Sequence, residues 1–310
     1  MYAAGSTWAR RRRPDGARLR PVTAFALSGG GSLGATHVGM LNALYERHIF
    51  ADMLVGTSFG AINAAFMASR PQTVPTINAL SHVWLAVQRG DVFPVSLGAL
   101  VGGLCGQRDH IVPDRALRQL VHRNIGFDDL ADTSTPLHLV AFDVIEAREV
   151  LLSAGPAVDA ICAAMAIPGV FPRVSIGERR LIDGGVVNRT PISHAVELGA
   201  ERIYVLATSR GRRPVLQPPR SALDAAMHGL SLMTERRLQE DIARYSDDVD
   251  LIVLPAPNAL HVQPSNFVHA GRLIRDAYSA ARQRLALTDR DRGRATWSRP
   301  VPARVRRAAA

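Results

Sequence analysis

Residues 51–71 read ADMLVGTSFGAINAAFMASRP: a brief apolar strand over 53–55 passes through a glycine-flanked serine into a helix of small residues expected over 61–69. Gly56-Thr57-Ser58-Phe59-Gly60 is a G-x-S-x-G pattern on a strand-to-helix turn. A nucleophile on such a turn sits in a strained backbone conformation, and side chains beside it would collide with the adjoining strand and helix, so glycine is needed at both flanks. Ser58 then lies at a helix N-terminus, where unbonded N–H groups and the helix dipole favour developing negative charge. In a chain rich in alanine and glycine the pattern arises often by chance. The strand before it and the helix after it give it meaning.

Upstream, residues 26–39 read ALSGGGSLGATHVG, again between a short apolar strand (22–28) and a helix (35–48). Gly29-x-Gly31-x-x-Gly34 satisfies the dinucleotide-binding spacing, which makes a nicotinamide enzyme the first candidate. Such a site requires an acidic residue ending the second strand, about 20 residues on. Asp52 precedes that strand, and the serine turn occupies its end. Strand, helix, strand, helix in this order implies a parallel βαβ start. Neighbouring parallel strands place their C-terminal loops side by side, so the N–H groups of Gly29 to Gly31 are expected to face the Ser58 hydroxyl as an oxyanion hole.

Downstream, helical patterns cover 74–88 and 113–123, with the apolar, glycine-containing segment 92–106 between them. That segment reads first as core packing and second as a flap or interfacial foot over an apolar cleft. A hairpin or sheet edge is expected from 137–144 and 149–153, then a helix broken at Pro168, then RLIDGGVVNRTP over 180–191 with Asp183 at a strand end. Gly184 and Gly185 let that carboxylate approach a neighbouring loop, although an isolated D-G-G is more often a plain turn. Further strands (202–208, 251–254) and helices (192–198, 221–245, 268–287) complete the pattern. Of ten histidines none has a distinguishing context, and His261 and His269 alone come late enough for a Ser, Asp, His order.

At 310 residues, 47% hydrophobic and 21% charged, the chain can bury a conventional core and is not generally disordered. The 37 basic residues against 27 acidic include no lysine, which fits codon bias in a GC-rich, alanine-rich genome better than selection for a phosphate-binding surface. Arginines crowd into 1–21 and 288–310, which read as flexible tails: first as solvated termini, second as attracted to anionic lipid, last as nucleic-acid binding, since no recognition module accompanies them. Cys105 and Cys162 match no metal or redox spacing and read as core residues of a reducing compartment. No cofactor and no metal are expected. The N-terminal apolar run is too short for a secretory signal and 92–106 too short to span a bilayer, so the expected location is cytoplasmic, with peripheral membrane contact as an addition.

Together Gly29-Gly30-Gly31-Ser32-Leu33-Gly34, Gly56-Thr57-Ser58-Phe59-Gly60-Ala61-Ile62-Asn63-Ala64, the run AMAIPGVFPRV and Asp183-Gly184-Gly185 resemble the patatin-like phospholipase family over about residues 22–208, with a compatible C-terminal helix extending the single domain to 287. The resemblance implies a three-layer α/β/α fold on a mainly parallel sheet. It implies lipid acyl hydrolysis by a serine–aspartate dyad without a catalytic histidine: Ser58 as nucleophile, Asp183 as base, and the amides of Gly29, Gly30, Gly31 and Phe59 around the oxyanion. Gly34, Gly56, Gly60, Gly184 and Gly185 support the motifs. Many members have arginine or lysine where this chain has Leu33, and the loop Arg210 to Arg213 reads first as a solvated loop and second as a substitute for that charge. A triad esterase using His261 or His269 and a catalytically silent lipid-binding protein are the alternatives.

Overall fold

Short apolar runs bounded by glycine and charge become the centre of one sheet. In the computed structural model, which describes residues 20–94, 109–209, 222–256 and 262–297, β1 (Thr23–Leu27) and β2 (Met53–Thr57) are buried at every position. They pair in parallel, and β7 (Arg202–Leu206) and β8 (Asp250–Leu254) extend the parallel run beyond β1. On the far side of β2 lies β3 (Leu137–Asp143), also parallel. The rest of the eight-stranded sheet is antiparallel: β4 (Arg148–Leu152) returns along β3, and β5 (Val174–Ile176) and β6 (Arg179–Asp183) form a hairpin joined to β3 through β6.

Alternation along the strands supplies two apolar faces. Phe25, Leu27, Leu54, Leu139, Tyr204 and Leu206 face a large core with α1 (Thr36–Tyr45), α2 (Phe59–Ala68), α3 (Val74–Ala86), α5 (Arg115–Asn124), α6 (Ala157–Ala164) and α9 (Ala270–Trp297). The short α4 (Arg89–Val92), begun by a Gln88–Asp91 capping box, joins this layer through Val92. Ala24, Ala26, Val55, Val140, Ile203 and Val205 face a smaller core with α7 (Ile192–Glu197) and α8 (Ala222–Tyr245). The three-layer α/β/α arrangement follows directly.

Most expected elements are present within a few residues. Two differ. α6 stops at Ala164, before the expected break at Pro168, because a turn from Cys162 O to Met165 N closes it. α9 continues past Leu287 to Trp297. Arginine and alanine favour helix there without any apolar periodicity to advertise it. The terminal stretches 1–19 and 298–310, Cys105, His261, Arg210 to Arg213 and most of the apolar segment 92–106 lie outside the described residues. Cys162 is buried as a free thiol.

Candidate active site

A single strand edge brings the hydroxyl and the carboxylate together. β4 occupies one edge of β3 over Leu139 to Asp143. On the other edge β2 pairs only as far as Thr57 opposite Val140, and β6 takes over with Asp183 opposite Ala141. The ends of β2 and β6 therefore abut, and Ser58 is the residue after that end. Two backbone bonds fix the junction: Ser58 N–H donates to Ala164 O (3.0 Å) and Asp183 N–H to Ala166 O (2.9 Å). This is the structural use of the AMAIPGVF run.

Ser58 has φ 55° and ψ −130°, a left-handed conformation that a serine adopts only when its surroundings impose it. The turn can be that sharp because Gly60 carries no side chain: a Cβ there would stand 2.2 Å from Leu27 O. Gly56 and Gly184 are similarly crowded, by Gly60 O and Val140 O respectively. Ser58 is 6% exposed and Asp183 4%. The Asp183 carboxylate lies beside the Ser58 hydroxyl, and its Oδ1 accepts from Gly185 N–H at 2.7 Å. Burial pushes the Asp183 carboxyl up to about 6, against the opposing pull of the neighbouring Ser58 hydroxyl, the Gly185 amide and the Arg189 charge. A carboxylate with that pKa can accept a serine proton near neutrality.

The glycine turn lies against this pair, since a Cβ on Gly29 would come within 2.9 Å of Ser58 Cβ. Its amides are not equivalent. Gly29 N–H donates to Arg189 O at 2.9 Å, so it is unavailable to an oxyanion, contrary to the expectation for Gly29. Ser32 N–H is also occupied, by Pro264 O at 2.7 Å. The N–H groups of Gly30, Gly31 and Phe59 have no acceptor among the described residues. Gly31 has φ +60°, and a Cβ there would meet Pro264 O at 2.3 Å, so the turn and the 262–269 loop fit only with glycine at that point.

Behind the turn, Asn63 Nδ2 donates to Gly34 O (3.0 Å) and lies 3.1 Å from His37 Nδ1, while Trp84 Nε1 donates to Asn63 Oδ1 (2.9 Å). Burial pushes the His37 imidazole down to about 3, so it stays neutral and serves as a buried polar brace. Leu33 is half-buried against the larger core and brings no charge. The Phe59 ring packs with Trp84, Phe93 and Phe267 beside an apolar cavity whose walls include Ile62, Phe66 and Leu120. Arg189 and Thr208, both bonded to the glycine turn, had no signal in the sequence, whereas Asn63, which bonds Gly34 O, stood inside the serine motif with no role assigned to it. Among the described residues no group of three or more His, Cys, Asp or Glu could hold a metal ion, and no helix is long and apolar enough to cross a membrane.

A family model described as "Patatin-like phospholipase" matches residues 25–196. An uncharacterized NTE family protein of Mycobacterium tuberculosis is 30% identical over 168 residues, covering 54% of this chain and 27% of that protein. "Lysophospholipase nte1" of Emericella nidulans is 24% identical over 182 residues, 59% of this chain and 12% of that protein. The chain thus matches about a quarter or less of the length of these curated relatives. Among solved structures, VipD from Legionella pneumophila has a TM-score of 0.47 at 12% identity, covering 89% of this chain and 69% of that one. Human GIVD cytosolic phospholipase A2 has a TM-score of 0.48 at 13% identity, covering 88% and 58%.

Proposed function

Because this chain belongs to the patatin-like phospholipase family, we propose that it is a serine hydrolase cleaving carboxylic esters of phospholipids, lysophospholipids or glycerides through an acyl-enzyme at Ser58. The observation that carries this reading is the junction at which the abutting ends of β2 and β6 bring the serine of a strained turn and a buried carboxylate together, beside unbonded backbone amides. It favours a two-residue mechanism over one with a histidine between serine and aspartate. The relative named lysophospholipase supports lipid esters as the substrate class.

In the first half-reaction Ser58 Oγ attacks the ester carbonyl carbon as its proton passes to Asp183. Negative charge moves to the carbonyl oxygen, which the N–H groups of Gly30, Gly31 and Phe59 receive, aided by the N-terminal end of the α2 dipole. Collapse of the tetrahedral intermediate breaks the C–O bond, and Asp183 returns the proton to the departing alkoxide. In the second half Asp183 takes a proton from water, the resulting hydroxide attacks the acyl-enzyme, and Ser58 leaves with that proton. Gly29 holds the turn in place and is not a donor. Burial of Asp183 sustains the raised pKa that the base requires.

The test is a fluorophosphonate probe with p-nitrophenyl acyl esters. Wild type is expected to label and turn over. Ser58→Ala and Asp183→Asn are expected to lose hydrolysis by about 10³-fold or more while keeping wild-type circular dichroism. Substantial activity in either folded variant would falsify the dyad.

A further inference from the structure

The Gly29 peptide unit is gripped from both ends by one residue. Its N–H donates to the Arg189 carbonyl at 2.9 Å, and its carbonyl accepts from Arg189 Nε at 2.9 Å. Thr208 Oγ1 donates to the same carbonyl at 2.5 Å and accepts from Arg189 Nη2 at 3.2 Å. Ser28 Oγ completes the clamp, donating to Thr208 Oγ1 (3.1 Å) and accepting from Thr208 N–H (2.8 Å). The loop bearing Arg189 is itself fixed, because Asn188 N–H donates to Gly184 O and the buried Asn188 side chain donates to Glu149 and Ser193.

A trans peptide is planar, with the carbonyl of one residue and the N–H of the next pointing in opposite directions. Holding Gly29 C=O against Arg189 and Thr208 therefore turns Gly30 N–H to the other side, where it has no acceptor among the described residues, and Ser58 adjoins the same turn. A cation on the carbonyl also polarises the peptide and strengthens that N–H as a donor. Resting on the hydrolase reading above, we propose that Arg189, with Thr208, is a positioning residue that sets the Gly29–Gly30 peptide plane and so aims the Gly30 amide at the oxyanion. Arg189 thus supplies from the loop after Asp183 the positive charge that Leu33 does not. Its guanidinium is within electrostatic reach of the Glu235 and Asp183 carboxylates, which partly balance its charge.

The test compares Arg189→Met, Arg189→Lys, Thr208→Val and Thr208→Ser in the full chain, using ester turnover and inhibition by an alkyl trifluoromethyl ketone, whose serine adduct carries an oxyanion. Arg189→Met and Thr208→Val should lower kcat by about 10- to 100-fold with KM within about twofold, and weaken the ketone by the same factor. Lysine and serine should recover part of the loss. The apparent pKa on the acid side of the Arg189→Met rate profile should rise as well, because the charge opposing Asp183 protonation is gone. Unchanged kcat and ketone affinity in folded variants overturns the proposal, and so does a fall in kcat without weaker ketone binding. If Arg189→Met does not fold, the Thr208 pair decides. A wild type that takes no fluorophosphonate label instead sinks the underlying hydrolase reading, an outcome visible before any variant is compared.

Discussion

Ser58 and Asp183 are each held in a state that the folded chain disfavours, and each state is measurable. A serine at φ 55° carries strain of order 1–3 kcal/mol, which glycine in the same place largely escapes. Ser58→Gly is therefore expected to be about 1 kcal/mol more stable than Ser58→Ala in denaturant titrations. The Asp183 carboxyl is raised from 3.8 to about 6 in the folded state. A group raised on folding contributes stability that is full below its unfolded pKa and is lost as pH rises through its folded one. At pH 7–8 the ionised carboxylate then costs on the order of 2–3 kcal/mol. Asp183→Asn should melt higher than wild type there, with the advantage vanishing by about pH 4. In activity the sign reverses: kcat/KM should rise with pH to a plateau through an apparent pKa near 6. Both residues proposed to react were proposed from the sequence, because a sharp turn leaves glycine signatures around them. Arg189, Thr208 and Asn63 were not, since each does its work on a partner more than twenty residues away and needs no special neighbour in the chain.

Elements were legible where packing imposes periodicity, and their order gave the parallel start and the β3–β4 hairpin. Two relations were out of reach: that β6 continues the edge of β3 that β2 leaves, and that α9 lies against α1. The second depends on Gly39, where a Cβ would stand 2.1 Å from Ile274 O. Tyr278 OH bonds the Glu46 carboxylate (2.8 Å) and Arg47 pairs with Asp289 farther along the same contact. Gly39→Val should push the two helices apart, costing about 3 kcal/mol, the upper end for an overpacked site. Hydrogen exchange should then quicken in 270–297 well before it does in β1 to β3.

Across the whole chain the formal charge of +10 arises largely from sequence ends that the described fold does not include. We expect binding to vesicles containing phosphatidylglycerol that falls in 0.5 M NaCl and is absent with phosphatidylcholine alone, checked by sedimentation; binding indifferent to salt would exclude an electrostatic origin. Fold and family were readable at this scale because three motifs stand in a fixed order, whereas motifs fix chemistry and pocket shape fixes specificity. The β3 edge has a last implication. Thr57 and Asp183 are registered on consecutive rungs, Val140 and Ala141, so the distance between the proposed nucleophile and base is written into a segment bearing neither of them. One residue inserted between those rungs would slide the pair apart by about 3.3 Å and silence the chemistry with every motif intact, a lesion that inspecting the motifs alone would miss.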